Sequence, residues 1–433
     1  MASIRTSPAP VEIHHLTRVE GHGNIIVDIR NGTILQCDLE IIEAPRFFEA
    51  MLRGRPYDQA PRLSSRICGI CAVTHTTASI KALESALGVE NSQQTDLLRQ
   101  LNLCAEMLDS HLLHVYMLVA PDLLGAGSII PLAVESPDIV HRALRMKQVA
   151  GQICAAIGGR HTHPITMTVG GFTHLPTEEE LQVLLRRLDA ISPDIESTVN
   201  LFADLVLPDF ERETEYIALQ KDHGYSLIDG FIASSDGGSW PIEQYRGVVN
   251  EYQISRSTAK HARHRRQSYM VGALARYKLN HEKLNPQAKA AAARLNLKPT
   301  CQNPFMITIA QVVEIVHFYE EAIRIIGQLL ELGIQWEEIA QPARQSGEGV
   351  GACEAPRGTL YHHYVLRNGA IAEANCVIPT GQNLANIEAD MRALAPQIWD
   401  RSRDEITLTL EMLVRAYDPC ISCSTHMLEV RFV

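Results

Sequence analysis

The sequence predicts a mainly α-helical (α+β) protein, a large multi-helical body with small antiparallel sheets at its periphery. Three observations carry this prediction. Long stretches place Leu, Ala, Met and Val at three- and four-residue intervals, the spacing of one helix face. Period-two alternation is confined to short runs near the N-terminus, in the middle and ahead of the last helix. No internal repeat, low-complexity linker or long charge block divides the 433 residues, so they read as one domain, 1–433.

The elements follow in chain order. The section 1–55 is β-rich, because "NIIVDIRNGTILQCDLEII" alternates apolar and polar residues around Asn31-Gly32, a hairpin turn pair. After "RICGICAVTH" the pattern turns helical over 76–87 and 92–119, with Pro121 closing the second stretch. The apolar zone "HLLHVYMLVAPDLLGAGSIIPLAV" contains two histidines, Asp122 and two prolines. It reads as a buried helix and a turn, not as a membrane span of about 20 clean apolar residues. Thr177, with Glu180 three residues later, caps a helical segment that breaks near Pro193. "GYSLIDGFIASSDGG" and the stretch around Trp240 read as short strands and turns. Helices return over 285–295 and 307–332, and "GTLYHHYVLRNGAIAEANCVIP" is a hairpin with Asn368-Gly369 at its tip. A last helix, from about Asn383 to Ala416 with a break near Pro396, delivers the chain to Asp418.

Composition narrows the function. Hydrophobic residues make up 46% of the chain, enough for a sizeable core, and 39 basic against 50 acidic residues leave a net charge of −11. That balance argues against nucleic acid or an anionic membrane as the main partner. No apolar run follows the arginine of "MASIRTSPAPVEIHH", so no secretory signal is read. Ten cysteines without an export signal are expected to be reduced thiols of a cytoplasmic protein, and paired thiols then indicate metal or redox chemistry.

Two pairs stand out, Cys68-Gly69-Ile70-Cys71 and Cys420-Ile421-Ser422-Cys423, each trailed by a histidine, His75 and His426. A Cys-x-x-Cys at a helix start turns two sulfurs toward one point, and the helix N-terminus favours the thiolate. Together the pairs could supply a four-thiolate site closed by the fold. A redox dithiol and structural zinc also use such pairs, but zinc pairs ordinarily lie about 15 to 20 residues apart. Here almost the whole chain separates them. The two histidines read as groups that orient a thiolate or hold a neighbouring ion.

R-x-C-G-x-C-x-x-x-H near the N-terminus and D-P-C-x-x-C-x-x-H at the C-terminus resemble the two signature motifs of the nickel–iron hydrogenase large subunit. "RVEGHG", "FFEAMLRGR", "EAPRG" and "NCVIPTGQN" agree, so the resemblance covers the whole chain in order. It implies the large-subunit fold and a Ni-Fe(CN)2(CO) centre. Cys68, Cys71, Cys420 and Cys423 would bind nickel, with Cys71 and Cys423 bridging to an iron that carries two cyanides and one carbon monoxide. Soft thiolates suit these metals. The cluster would be formally anionic and would need buried donors around it. By the same resemblance Arg357 stands above the open site, Asp418 hydrogen-bonds Arg357 or its surroundings, and Pro379 and Thr380 line the cyanides. Cys420 takes the proton of dihydrogen and Glu20 passes it outward. Glu49, His426 and the backbone carbonyl of Cys376 match the positions that hold a magnesium or iron(II) ion near the C-terminus. Cys37, Cys104, Cys154, Cys301 and Cys353 read as core thiols.

Two features depart from the pattern. Ser110 stands about where several membrane-bound members have aspartate. Residues 427–433, "MLEVRFV", are either a tail that a maturation protease removes after nickel insertion or a retained segment, as in some sensory and membrane-coupled members. With no iron–sulfur cysteine set of its own, the chain is expected to pass electrons to an iron–sulfur small subunit. "EAPRGTLYHHY", "IPTGQNLANIE" and "SCSTH" look most like the cytoplasmic, bidirectional, NAD(P)-linked and sulfhydrogenase-type members. There, further iron–sulfur subunits and a flavin (diaphorase) subunit exchange electrons with NADP or NAD. The alternatives are a hydrogenase coupled to a deazaflavin or heterodisulfide reductase partner, and a hydrogen-sensing regulatory subunit. The four cysteines oppose a quinone-reductase relative that has lost the metal site.

Overall fold

The computed structural model describes residues 10–14, 16–30 and 33–425. Its core is a sheaf of helices in which Gln93–Leu112 packs against Pro137–Gly158 and Ile307–Leu332. Gln93–Leu112 continues without a break into a π-helical segment, Leu113–Val119, and a final turn, Ala120–Leu123. Pro121 lies in the last turn of this continuous helix, which ends two residues later at Leu123, so it marks the close of the stretch as expected. By length and composition Gln93–Leu123 could cross a membrane, yet 78% of its most apolar window is buried in the fold. It is a core helix, as its histidines and Asp122 imply.

Other expected elements shift by a few residues. The Thr177 capping box forms, with Thr177 and Glu180 exchanging side-chain and backbone hydrogen bonds. The break that follows puts Pro193 in the first turn of Ser192–Ala203. The last helical stretch starts earlier, at Pro379, and breaks near Pro396 as expected: Pro379–Ile398 ends two residues past it. The chain resumes as Arg403–Ala416, which Ser402 and Glu405 open with a second capping box. Pro137–Gly158, to which the sequence reading assigns no element, is a helix with proline at its first position.

Among the described residues five small sheets surround this body, three of them with three or four strands. Val11–Ile13, Gly23–Arg30 and Thr33–Ile41 form an antiparallel sheet, and the expected Asn31-Gly32 turn lies outside the described residues. The short helix Phe48–Leu52 completes the N-terminal section. Gly347–Ala355, Gly358–Arg367 and Ala370–Val377 form a second antiparallel sheet. At its tip Asn368 (φ 49°) and Gly369 (φ 76°) are both left-handed, as a type I′ turn requires. The third sheet contains one parallel pair, Tyr269–Met270 beside Glu215–Gln220, so the sheets are not uniformly antiparallel.

One contact decides where the site forms. The helix Ala72–Leu87 lies on the strand Gly347–Ala355, with Ala78, Ala82 and Ala86 facing Gly351, Gly349 and Gly347. The backbones approach so closely that a Cβ on Gly349 would stand 2.2 Å from the Ala82 carbonyl oxygen, and one on Gly351 2.2 Å from that of Ala78. That helix begins at Cys71 and that strand leads into Arg357. Gly349→Ala is therefore expected to pry the two apart and cost at least the ~1–3 kcal/mol typical of overpacking, since the opposing atoms are backbone. Denaturant unfolding checks this, and wild-type stability in the variant would refute the packing argument.

Candidate metal centre

The first thiol pair lies on the turn that opens Ala72–Leu87, with Cys71 as the residue before its first turn. The second lies just past Arg403–Ala416, where Asp418 takes a left-handed conformation (φ 51°) and Cys420 precedes the short turn Ile421–Ser424. The fold brings the pairs together. Cys68 Sγ is 3.4 Å from Cys420 Sγ, and Cys71 Sγ is 3.6 Å from Cys423 Sγ. All four sulfurs lie within 4.8 Å of one another, and all four side chains are buried. No disulfide bond links the ten cysteines, all of which lie among the described residues.

The electrostatics of this cluster favour a metal. Hydrogen bonds from Cys420, Cys423 and Cys71 hold the Cys68 thiol well below the ordinary thiol range, while burial pushes Cys420 and Cys423 up. One thiolate is thus stabilised by its neighbours; four at these distances need cations between them. The residues present fit a nickel–iron centre in a further respect. A cavity bordered by Cys71, Cys420 and Cys423 is also lined by Arg357, Pro379 and Thr380. Arg357 Nη2 is 2.8 Å from Asp418 Oδ1, and its Nε donates to the Asp418 carbonyl. Its buried Nη1 has no hydrogen-bond partner among the described residues, a donor in keeping with an anionic ligand. Thr380 Oγ1 accepts from the Cys420 N–H (2.8 Å), and the N-terminal end of Pro379–Ile398 borders the cavity.

The other expected residues fall around this core. Glu20 pairs with Cys420 in a parallel bridge; its carbonyl accepts from Ile421 N (2.9 Å) and its Oε2 from Ser422 N (3.0 Å). Glu20 is half-buried. His75 is buried on the cavity wall, with Nδ1 3.1 Å from His362 Nε2. Glu49 and Cys376 meet, although the contact runs through the Cys376 N–H, which donates to Glu49 Oε1 (2.7 Å). Burial raises the Glu49 carboxyl and also pushes the Cys376 thiol up, so that thiol is a poor ligand. His426 and the segment 427–433 lie outside the described residues. Cys37, Cys104, Cys154 and Cys353 are buried, and Cys301 is half-buried. Ser110 is buried with no hydrogen-bond partner for its hydroxyl among the described residues.

Two residues tie the site together without any sequence motif to mark them. Arg46 donates to the carbonyls of Ile67 (2.6 Å), Arg66 (2.9 Å) and Ser422 (3.4 Å), stapling one thiol loop to the other. Glu106 accepts from Val73 N (2.6 Å) and Thr74 N (2.9 Å), supplying from a neighbouring helix the cap that Ala72–Leu87 lacks locally. Burial pushes its carboxyl up to about 8 against those donors.

Comparison with known proteins agrees with this geometry. The sequence model of the family described as nickel-dependent hydrogenase matches residues 46–133 and 243–426. The alpha subunit of sulfhydrogenase 1 from Pyrococcus furiosus is 33% identical over 97% of this chain and 99% of its own length. A subunit of the F420-non-reducing hydrogenase of Methanothermobacter thermautotrophicus is 30% identical over 96% of this chain and 94% of its own. A crystal structure of an NAD+-reducing [NiFe]-hydrogenase in the H2-reduced state superposes with a TM-score of 0.87 at 27% identity, over 97% of this chain and 100% of that one. The chain belongs to the nickel-dependent hydrogenase family: it is a hydrogenase large subunit, an oxidoreductase acting on H2.

Proposed function

We propose that this hydrogenase large subunit works in the cytoplasm as a single domain, 1–433. Its electrons pass to an iron–sulfur small subunit, then through further iron–sulfur subunits and a flavin subunit to NADP or NAD. The observation that carries the catalytic part is the meeting of Cys68, Cys71, Cys420 and Cys423 at one buried point. The likeness to an NAD+-reducing hydrogenase and to a sulfhydrogenase alpha subunit supports the coupling. The 30% identity with an F420-non-reducing hydrogenase subunit keeps a second reading, a heterodisulfide-reductase-type partner, behind it; a deazaflavin partner and a hydrogen-sensing subunit stand further back.

The four cysteines would hold the Ni-Fe(CN)2(CO) centre, which when bound supplies the heterolytic cleavage of dihydrogen. The rest is the work of this chain. Cys420 Sγ receives the proton, and Glu20, bonded to the backbone two residues further on, moves it toward solvent. Arg357, fixed by Asp418, presents its guanidinium to the cavity and favours developing negative charge there. Pro379 and Thr380, which line the cavity, would face the cyanides, and His75, on the same lining, would help to position the thiolates. Glu49, the Cys376 carbonyl and His426 would hold a magnesium or iron(II) ion near the C-terminus. Residues 427–433 would be cut by a maturation protease after nickel insertion.

The test is purification of the native complex under anaerobic conditions, with its subunits identified and its metals counted. Nickel and iron near one to one, cyanide and carbonyl infrared bands, and H2-dependent reduction of NADP or NAD are expected. Zinc alone without those bands would overturn the centre. Intact bands with no nicotinamide reduction would overturn only the coupling.

A further inference from the structure

His114 belongs to the π-helical segment Leu113–Val119, a rare geometry that recurs at functional sites, and its ring is fully buried. Each ring nitrogen faces an oxygen. Nε2 lies 2.7 Å from the backbone carbonyl of Arg415, and Nδ1 makes a short contact with Gln311 Oε1. A carbonyl oxygen only accepts, so Nε2 carries a proton.

What Nδ1 meets depends on which way the Gln311 amide points, and Asp418 decides that. Its Oδ1 accepts from Arg357 Nη2 (2.8 Å), and its Oδ2 lies 3.3 Å from Gln311 Nε2. A carboxylate paired with a guanidinium has no proton to give, so the amide nitrogen turns to Asp418 and the amide oxygen to His114. Nδ1 must then carry a proton as well. Turning the ring over would set carbon atoms against both oxygens and lose both hydrogen bonds.

A second observation points the same way. The Arg415 carbonyl is at the C-terminal end of Arg403–Ala416, where the helix dipole favours a cation. The same carbonyl accepts from Asp418 N (2.8 Å), so His114 also supports the turn in which Asp418 becomes left-handed. The neighbouring charges are already engaged. The Arg415 guanidinium is paired with Asp122, which also binds Arg18, while His111 and Arg276 both bind Glu314.

We propose that His114 is a buried imidazolium cation that acts through Gln311 and Asp418 as a positioning residue for Arg357. Two cations then act on the Asp418 carboxylate beside the thiol cluster, Arg357 directly and His114 through Gln311. This leaves a net positive charge where the site is formally anionic. Removing His114 frees Gln311 to rotate, and Asp418 loses the donor that holds its second oxygen.

Two measurements on the full complex test this. With 15N-labelled histidine, His114 is expected to show two ring N–H signals that vanish in His114→Gln; a single ring proton would overturn the proposal. In the loaded enzyme, His114→Gln and Gln311→Leu should each displace the cyanide infrared bands and lower kcat/KM for H2 roughly 10- to 100-fold. The double variant should be no worse than either single, because both break one chain of contacts. Additive losses, or bands that stay in place, would overturn the positioning role. Should His114→Gln not fold, Gln311→Leu alone decides: it keeps His114 against Arg415, and unmoved bands would sink the idea.

Discussion

Cys423→Ser is expected to strip nickel from the purified protein and bring H2 turnover to background while the chain still folds. The side chain is buried and its sulfur lies 3.6 Å from that of Cys71, at the centre of a set spanning no more than 4.8 Å. Serine supplies a harder, shorter donor whose hydroxyl does not ionise near neutral pH, so the site loses a soft anionic ligand. Loss of a partner outside the ligand set commonly costs about 10- to 100-fold in metal affinity or activity; removing a ligand should cost more. Nothing comparable happens to the fold, because Cys423 contributes a small buried side chain to a core built from long helices. Metal analysis and far-ultraviolet circular dichroism on the same sample separate the effects. A variant that keeps nickel and turnover would show that Cys423 is no ligand, and an unfolded one would make the cluster a structural staple.

This expectation could be framed from the sequence because residue type and chain position sufficed for the four cysteines. What the sequence could not show was that they meet, since almost the whole chain has to fold before Cys68 reaches Cys420. Local chemistry was legible wherever a short segment settles its own conformation. Asn368-Gly369 turns as its residue types require, and Thr177 caps with Glu180. Prolines marked helix ends to within a turn: the helices that hold Pro121 and Pro396 end two residues later, at Leu123 and Ile398.

The supporting residues were illegible for a common reason. Arg46, Glu106, His114 and Gln311 are single polar residues inside helical or loop sequence, and each finds its partners on distant segments. Hydrophobic periodicity cannot separate a π turn from an α turn over seven residues, so the segment that carries His114 looked like ordinary helix. The alternating glycines at 347, 349 and 351 did leave a trace. Paired with alanines at 78, 82 and 86, they give the small-against-small pattern of a helix laid closely on a strand. The two halves lie so far apart in sequence that neither identifies the other.

Glu20→Gln should separate proton movement from metal binding more cleanly than any other change near the cluster. Glutamine has the same shape, and its carbonyl oxygen can keep the hydrogen bond from Ser422 N that Glu20 Oε2 now accepts at 3.0 Å. The backbone bond from Ile421 N to the Glu20 carbonyl is untouched, so the second thiol loop stays where it is. The amide cannot take up and release a proton, however, and a positioned acid–base group is ordinarily worth about 10²–10⁴ in rate. Turnover of H2 is therefore expected to fall by about that factor, roughly 3–5 kcal/mol in barrier height. Nickel and iron contents and the infrared bands should match the wild type. Exchange of protons between H2 and solvent should fall in parallel with turnover, because both need the same outward step from Cys420. Glu20→Asp, which keeps the carboxylate but shortens its reach by one methylene, should recover part of the rate. If Glu20→Gln loses nickel instead, the residue holds the loop and carries no proton; if it turns over normally, the proton leaves the cluster by another route.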